Sequence, residues 1–334
     1  MRRCLPEEMY IDVLGGSYLA LQILILLLGF ALLIGGANVF VNGSVAIAHK
    51  LKIPTVIVGL TIVAFGTSAP EAVITVTASL RGSNGLAIGN IVGSNIFNLV
   101  FIIGLCAVIK PVPVKLGEVA KDFWLSIVGA TILLVLLLVG GTSIPQLGSL
   151  LMLVIFVIYL GLLIRRAIKE STESEAASTA QKHIIFYILL SVAGGALIIF
   201  GGHLTVESAT EIAIGLGVSD RIIGLTVVAI GTSAPELVTS LVACKKGENE
   251  FALGNIIGSN IFNILFILGL AGLISPLEIV DGLVIDTGFL LVTSLLTLLF
   301  VYTRKVLSRH EGIVMVVLYL GYIFYTLGGF NLWS

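Results

Sequence analysis

Glu71 and Glu236 are the acidic residues set deepest in the apolar stretches of this 334-residue chain, and each closes the same peptide, GTSAPE. A carboxylate at the centre of a membrane helix costs roughly 3 kcal/mol on insertion scales. No lysine or arginine lies within the core of any apolar run to offset that cost. The missing countercharge is most simply a cation from solution. A protonated glutamate bonded between helices would account for one isolated residue better than for a matched pair. Thr67 and Ser68 lie four and three residues before Glu71 and Thr75 four after, so a helix presents them on one face. Thr232, Ser233 and Ser240 repeat the arrangement around Glu236. Pro70 and Pro235 lack an amide hydrogen, which frees the carbonyls of Gly66 and Gly231. Loose carbonyls and hydroxyls beside a carboxylate are hard oxygen ligands, suited to Ca²⁺ and Na⁺. Hydroxyls bonding back to their own helix would explain the serines and threonines, but not the glutamates.

A second motif, GNxxGSNxFN, adds Ser94 and Asn98 on one helical face with Asn95 adjacent, and its partner adds Ser259, Asn260 and Asn263. Asparagine in a membrane helix often serves only as interhelical glue; recurrence in register beside a glutamate-bearing helix favours a site-lining role. Gly89, Gly93, Gly254 and Gly258 read as close-packing positions, and GNIVG lacks the lysine of a phosphate-binding loop. His203, Glu207 and Glu211 form an i, i+4, i+8 stripe whose first-half counterpart places Asn42 at the position of Glu207. That stripe reads as an interfacial polar face rather than a metal site. Cys4, Cys106 and Cys244 are too scattered for a disulfide framework, and the last two read as small buried apolar residues. Glu278, Asp281 and Asp286 gather near the outer surface, where they read as solvated loop charges more than as an electrostatic lure for cations at the entrance.

The elements that must position these groups are membrane spans. Hydrophobic residues make up 57% of the chain and charged ones 11%, too few charges to cover a soluble protein of this length. Apolar runs of about 20 residues match a bilayer crossing. They fall near 19–45, 54–80, 86–109, 123–140, 147–165, 184–214, 221–244, 251–274, 283–303 and 312–330, ten spans in all, the first and sixth long enough to tilt. Arg2 and Arg3 are followed too soon by Glu7, Glu8 and Asp12 for a cleavable signal, so the first run is expected to remain as a helix. Residues 59–105 align with 224–270 at a constant offset of 165, with 29 identities in 47 columns, and weaker similarity reaches back to Gly35-Gly36 against Gly201-Gly202. Five spans per copy is an odd number, so the second copy must enter the membrane from the opposite side. The expected organisation is a first five-helix repeat over 1–168, a linker over 169–183 and an inverted second repeat over 184–334. Placing both termini outside puts 14 of the 18 Lys and Arg, and the central linker, on the cytoplasmic side of a cell membrane.

The doubled GTSAPE and GNxxGSNxFN motifs resemble the alpha-repeats of the calcium/cation antiporter superfamily, especially prokaryotic Na⁺/Ca²⁺ exchangers. The resemblance implies an all-α integral membrane protein in which Glu71 and Glu236 bind both Ca²⁺ and Na⁺. It further implies oxygens from Thr67, Ser68, Thr232 and Ser233, with Ser94, Asn98, Ser259 and Asn263 completing the sites and the backbone oxygens of Ala64 and Ala229 as further candidates. Potassium-dependent relatives carry aspartate where this chain has Asn263, which points to the potassium-independent type. Exchange of three Na⁺ for one Ca²⁺, and hence electrogenic transport, is likewise implied by the family alone. Ca²⁺ and Na⁺ would be substrates; no cofactor, nucleic acid or protein partner is expected beyond the lipid bilayer. Three other readings stay open: H⁺ as the counter-ion, a cation channel, and a membrane enzyme with the glutamates as an acid/base pair. No nucleophile–histidine arrangement, HExxH motif or basic phosphate clamp supports the last.

Overall fold

A computed structural model describes residues 16–82, 84–172, 184–216, 229–280, 282–326 and 328. Arg2 and Arg3, most of the 169–183 linker, residues 221–228 of the expected seventh span and Asp281 lie outside the described residues.

The described chain is helical. Helix α1 runs Gly16–Leu51; α2, Thr55–Thr67, and α3, Ala69–Leu80, form one bent unit. They are followed by α4, Gly85–Ile109, α5, Leu116–Val139, and α6, Gln146–Thr172. The second half holds α7, Ile184–Gly215, α8, Ala229–Thr232, α9, Ala234–Lys246, α10, Asn249–Ile274, α11, Leu283–Arg304, and α12, Arg309–Thr326. Seven of these are long and apolar enough to cross a membrane, eight when the bent α2–α3 pair is counted as one span. Helix α12 opens on Arg309, His310 and Glu311 and falls outside that group. Helix α5 begins at Leu116, ahead of the apolar run at 123, and so carries Asp122.

Burial is arranged as a bilayer demands. Large apolar side chains such as Leu24, Leu27, Ile185, Phe186 and Val192 are exposed on the outer faces of α1 and α7, while serines, threonines, asparagines and both site glutamates are buried. Helices α4 and α10 form the centre and α1 and α7 the periphery: 78% and 83% of their most apolar windows are buried, against 17% and 22%.

The α1–α7 pair is held by close backbone approach. A Cβ on Gly29 would stand 2.5 Å from Thr205 Oγ1, and one on Gly194 would stand 2.5 Å from the Phe40 nitrogen. Small residues permit that approach, and packing rather than hydrophobic expulsion holds helices together in lipid. Gly29 meets Gly201 and Gly36 meets Gly194, so the offset of 165 continues into this pair. The register is one residue away from the Gly35-Gly36 against Gly201-Gly202 alignment expected from sequence.

Two short antiparallel ladders tie the halves together. Strand β1, Val112–Pro113, pairs with β4, Val306–Leu307, and β2, Ser143–Ile144, pairs with β3, Leu277–Glu278.

Candidate cation-binding site

The α2–α3 unit bends by 49° at Ser68, whose backbone leaves the helical region at φ −83° and ψ 8°. Pro70 follows in the first turn of α3, a position where its missing N–H costs little. Ser233 has nearly the same conformation, φ −89° and ψ 7°, between α8 and α9, with Pro235 in the first turn of α9. Each break delivers a glutamate into the first turn of the helix that follows, where the positive end of the helix dipole favours negative charge.

Both carboxylates are fully buried, and each is held by a serine from the opposite half. Ser68 Oγ donates to Glu236 Oε1 at 2.8 Å, and Ser233 Oγ donates to Glu71 Oε1 at 2.9 Å. A second serine comes from the neighbouring central helix: Ser94 reaches Glu71 Oε1 at 3.3 Å and Ser259 reaches Glu236 Oε1 at 3.3 Å. These pairs map onto one another at the 165-residue offset.

Asparagines join α4 to α10 in the same way. Asn95 Nδ2 donates to the carbonyl of Asn260 at 3.1 Å, and Asn260 Nδ2 to the carbonyl of Asn95 at 3.2 Å. Asn98 Nδ2 donates to Asn260 Oδ1 and Asn263 Nδ2 to Asn95 Oδ1, at 3.3 and 3.0 Å. The sequence favours a site-lining role for Asn95 and Asn260 over interhelical glue, whereas in the structure their amides bond α4 to α10. Sequence reading missed Asn90 and Asn255, which donate to Thr75 and Ser240, each at 3.0 Å. The GN that opens each second motif was the available signal.

The other expected ligands divide. Thr67 is buried, with its hydroxyl 3.1 Å from the Val63 carbonyl and 3.1 Å from Asn255 Oδ1, so it braces α2 against α10. Thr232 is buried in α8. The Ala64 carbonyl accepts the Ser68 N–H at 3.0 Å and lies 3.5 Å from the Thr67 hydroxyl. Ala229 opens α8.

The atoms left over describe what the site lacks. Among the described residues, Glu71 Oε2, Glu236 Oε2, Asn98 Oδ1 and Asn263 Oδ1 are buried without a hydrogen-bond partner. All four are acceptors. An unpaired buried polar group costs about 1–3 kcal/mol, and more when charged. Two carboxyl oxygens and two amide oxygens form a hard acceptor set that would fit Ca²⁺ or Na⁺ and has nothing to offer an anion.

Other singled-out residues lie elsewhere. His203 and Glu207 are exposed, 3.5 Å apart on α7, and Glu211 accepts from Tyr18 of α1. Cys106 and Cys244 are buried, the two thiols in contact.

The profile of the family described as sodium/calcium exchanger protein matches residues 21–165 and 186–328. CaxA of Alkalimonas amylolytica, described as a candidate antiporter, is 38% identical over 89% of this chain and 95% of its own length. The sodium/calcium exchanger MaX1 of Methanosarcina acetivorans is 31% identical over 91% of this chain and 98% of its own. The solved structure of the sodium-calcium exchanger NCX_Mj superposes with a TM-score of 0.80 at 32% identity, covering 90% of this chain and 97% of that one. This chain therefore belongs to the sodium/calcium exchanger family and is an α-helical, multi-pass membrane antiporter of cations and calcium, a transporter without a cofactor rather than an enzyme.

Proposed function

We propose that the chain exchanges Na⁺ for Ca²⁺ by alternating access at one central site shared by two inverted five-helix halves, 1–168 and 184–334. Four acceptor oxygens without a partner among the described residues, two from each half, carry this reading. Two carboxylates neutralise one Ca²⁺. Several Na⁺ ions replace it by dividing the same glutamates with oxygens of Thr67, Ser68, Thr232, Ser233, Ser94, Ser259, Asn98 and Asn263 and the carbonyls of Ala64 and Ala229. Shared ligands enforce exchange, because the empty, doubly negative site resists occlusion. Replacement of two charges by three would make transport electrogenic. The names of MaX1 and NCX_Mj support Na⁺ as the counter-ion.

K⁺ independence rests on Asn263. Its amide donates to Asn95 Oδ1, a bond that an ionised aspartate could not make. The doubled hydrogen-bond scheme supports ten spans with the second half inverted. Charge placement supports both termini outside and the linker over 169–183 in the cytoplasm. Helices α1 and α7, packed on each other at the periphery, are the moving gate.

Purified chain in proteoliposomes tests the reading. ⁴⁵Ca²⁺ uptake that requires internal Na⁺, ignores K⁺ and responds to membrane potential supports it. Equal uptake driven by a pH gradient without Na⁺ would replace it with H⁺/Ca²⁺ exchange.

A further inference from the structure

The pairing rules of the centre do not hold at the ends of the helices, and the departure is informative. Lys246, the last residue of α9, reaches across to α1: its ammonium lies 2.7 Å from Asn42 Oδ1 and 3.2 Å from the Asn38 carbonyl. This is the end of the molecule that gathers His49, Lys115 and Glu250 around one cavity, the end proposed as cytoplasmic. Subtracting 165 from Lys246 gives Arg81, the residue capping α3. Adding 165 to Asn38 and Asn42 gives His203 and Glu207 on α7. A strictly symmetric molecule would therefore join Arg81 to Glu207. It does not. Among the described residues the Arg81 side chain makes no hydrogen bond or ion pair, and Glu207 pairs instead with His203 on its own helix. Helix packing shows the same inequality: α1 packs along α9, while α7 makes no comparable contact with α3.

We propose that Lys246 with Asn42, and Arg81 with Glu207, are two alternating latches that position the α1–α7 pair in its two end states. In the conformation described here the Lys246 latch is closed. When the α1–α7 pair moves to open the cytoplasmic side, Lys246 loses Asn42, and Arg81 takes Glu207 from His203. The two latches differ in kind. One is an ammonium held by neutral oxygens and the other an arginine–carboxylate pair, so only the second joins opposite charges and weakens strongly with salt. The inference rests on the inverted-repeat reading above. It also gives a role to the His203–Glu207 stripe, which has no counterpart in the cation site.

The experiment is hydrogen–deuterium exchange on the full chain in lipid nanodiscs, paired with Na⁺-driven ⁴⁵Ca²⁺ flux on the same preparations. Lys246→Ala is expected to raise amide exchange at the end of α9 about threefold and, at a distance, to lower it at the end of α3. Arg81→Ala and Glu207→Gln are expected to leave the α9 end at least as protected as in the wild type and to slow turnover about fivefold. The reversed pair, Arg81→Glu with Glu207→Arg, is expected to restore turnover. A merely local role for Lys246 would loosen α9 and leave α3 unchanged, and that result overturns the proposal. So does wild-type turnover in both Arg81→Ala and Glu207→Gln. If the latch variants are silent while wild-type exchange persists, the latches fail alone. If the wild type carries no exchange, the proposed function fails and the latches with it.

Discussion

At the centre of this molecule the serine–glutamate and asparagine contacts made by one half are repeated by the other. Ser68 holds Glu236 as Ser233 holds Glu71, and Asn98 leans on Asn260 as Asn263 leans on Asn95. At the ends the halves part company: Lys246 is bound to α1, and the Arg81 side chain has no partner among the described residues. In the proposed scheme the contrast separates two jobs. A site that must hold the same ion from either side benefits from equal halves. A gate cannot be equal at both ends at once, because a transporter open on both sides is a leak.

The comparison can be broken in order of expected effect. Glu71→Gln and Glu236→Gln should each lower ⁴⁵Ca²⁺ uptake by more than about a hundredfold, because each leaves a divalent ion half neutralised in a dry site. Loss in one variant and survival in the other would end the equivalence of the halves. Gly194→Val comes next. Its side chain would drive into the Phe40 backbone and part α1 from α7, costing about 1–3 kcal/mol in unfolding experiments and slowing transport more than tenfold. Gly195→Val is the control, since a Cβ there meets Phe40 only at 3.6 Å. Asn98→Asp and Asn263→Asp should reduce Na⁺-driven exchange about tenfold, and by similar factors, since each removes the matching amide donor. The smallest effect belongs to Lys115→Ala. Its 2.6 Å ion pair with Glu250, exposed on the lysine side, holds the ammonium pKa above its ordinary value, yet pairs open to solvent contribute little. Flux should stay within twofold of the wild type.

The sequence displayed the centre better than the edges for a physical reason. GTSAPE carries its own geometry, since its proline disfavours helix in the residue before it and is tolerated in the first turn of the helix that follows, and a glutamate just beyond has few other uses in an apolar run. The position of the bend was less legible: proline removes a bond to Gly66, while the backbone breaks at Ser68. Asn90 and Asn255 escaped notice because their partners, Thr75 and Ser240, lie on the preceding helix. Asp122 escaped because the apolar run begins after it. Only the fold shows Tyr159 donating to it and Arg166 standing 3.4 Å away. The Lys246 contact lay beyond pattern reading altogether, because its first-half equivalent is not made.

Equilibrium binding of Ca²⁺ to the purified chain tests the shared site most directly, with Na⁺ as competitor and with Glu71→Gln and Glu236→Gln alongside the wild type. The account predicts one Ca²⁺ per chain, displaced by Na⁺, with binding lost to a similar degree in both variants. Two independent Ca²⁺ sites, or a variant that keeps wild-type affinity, would contradict it.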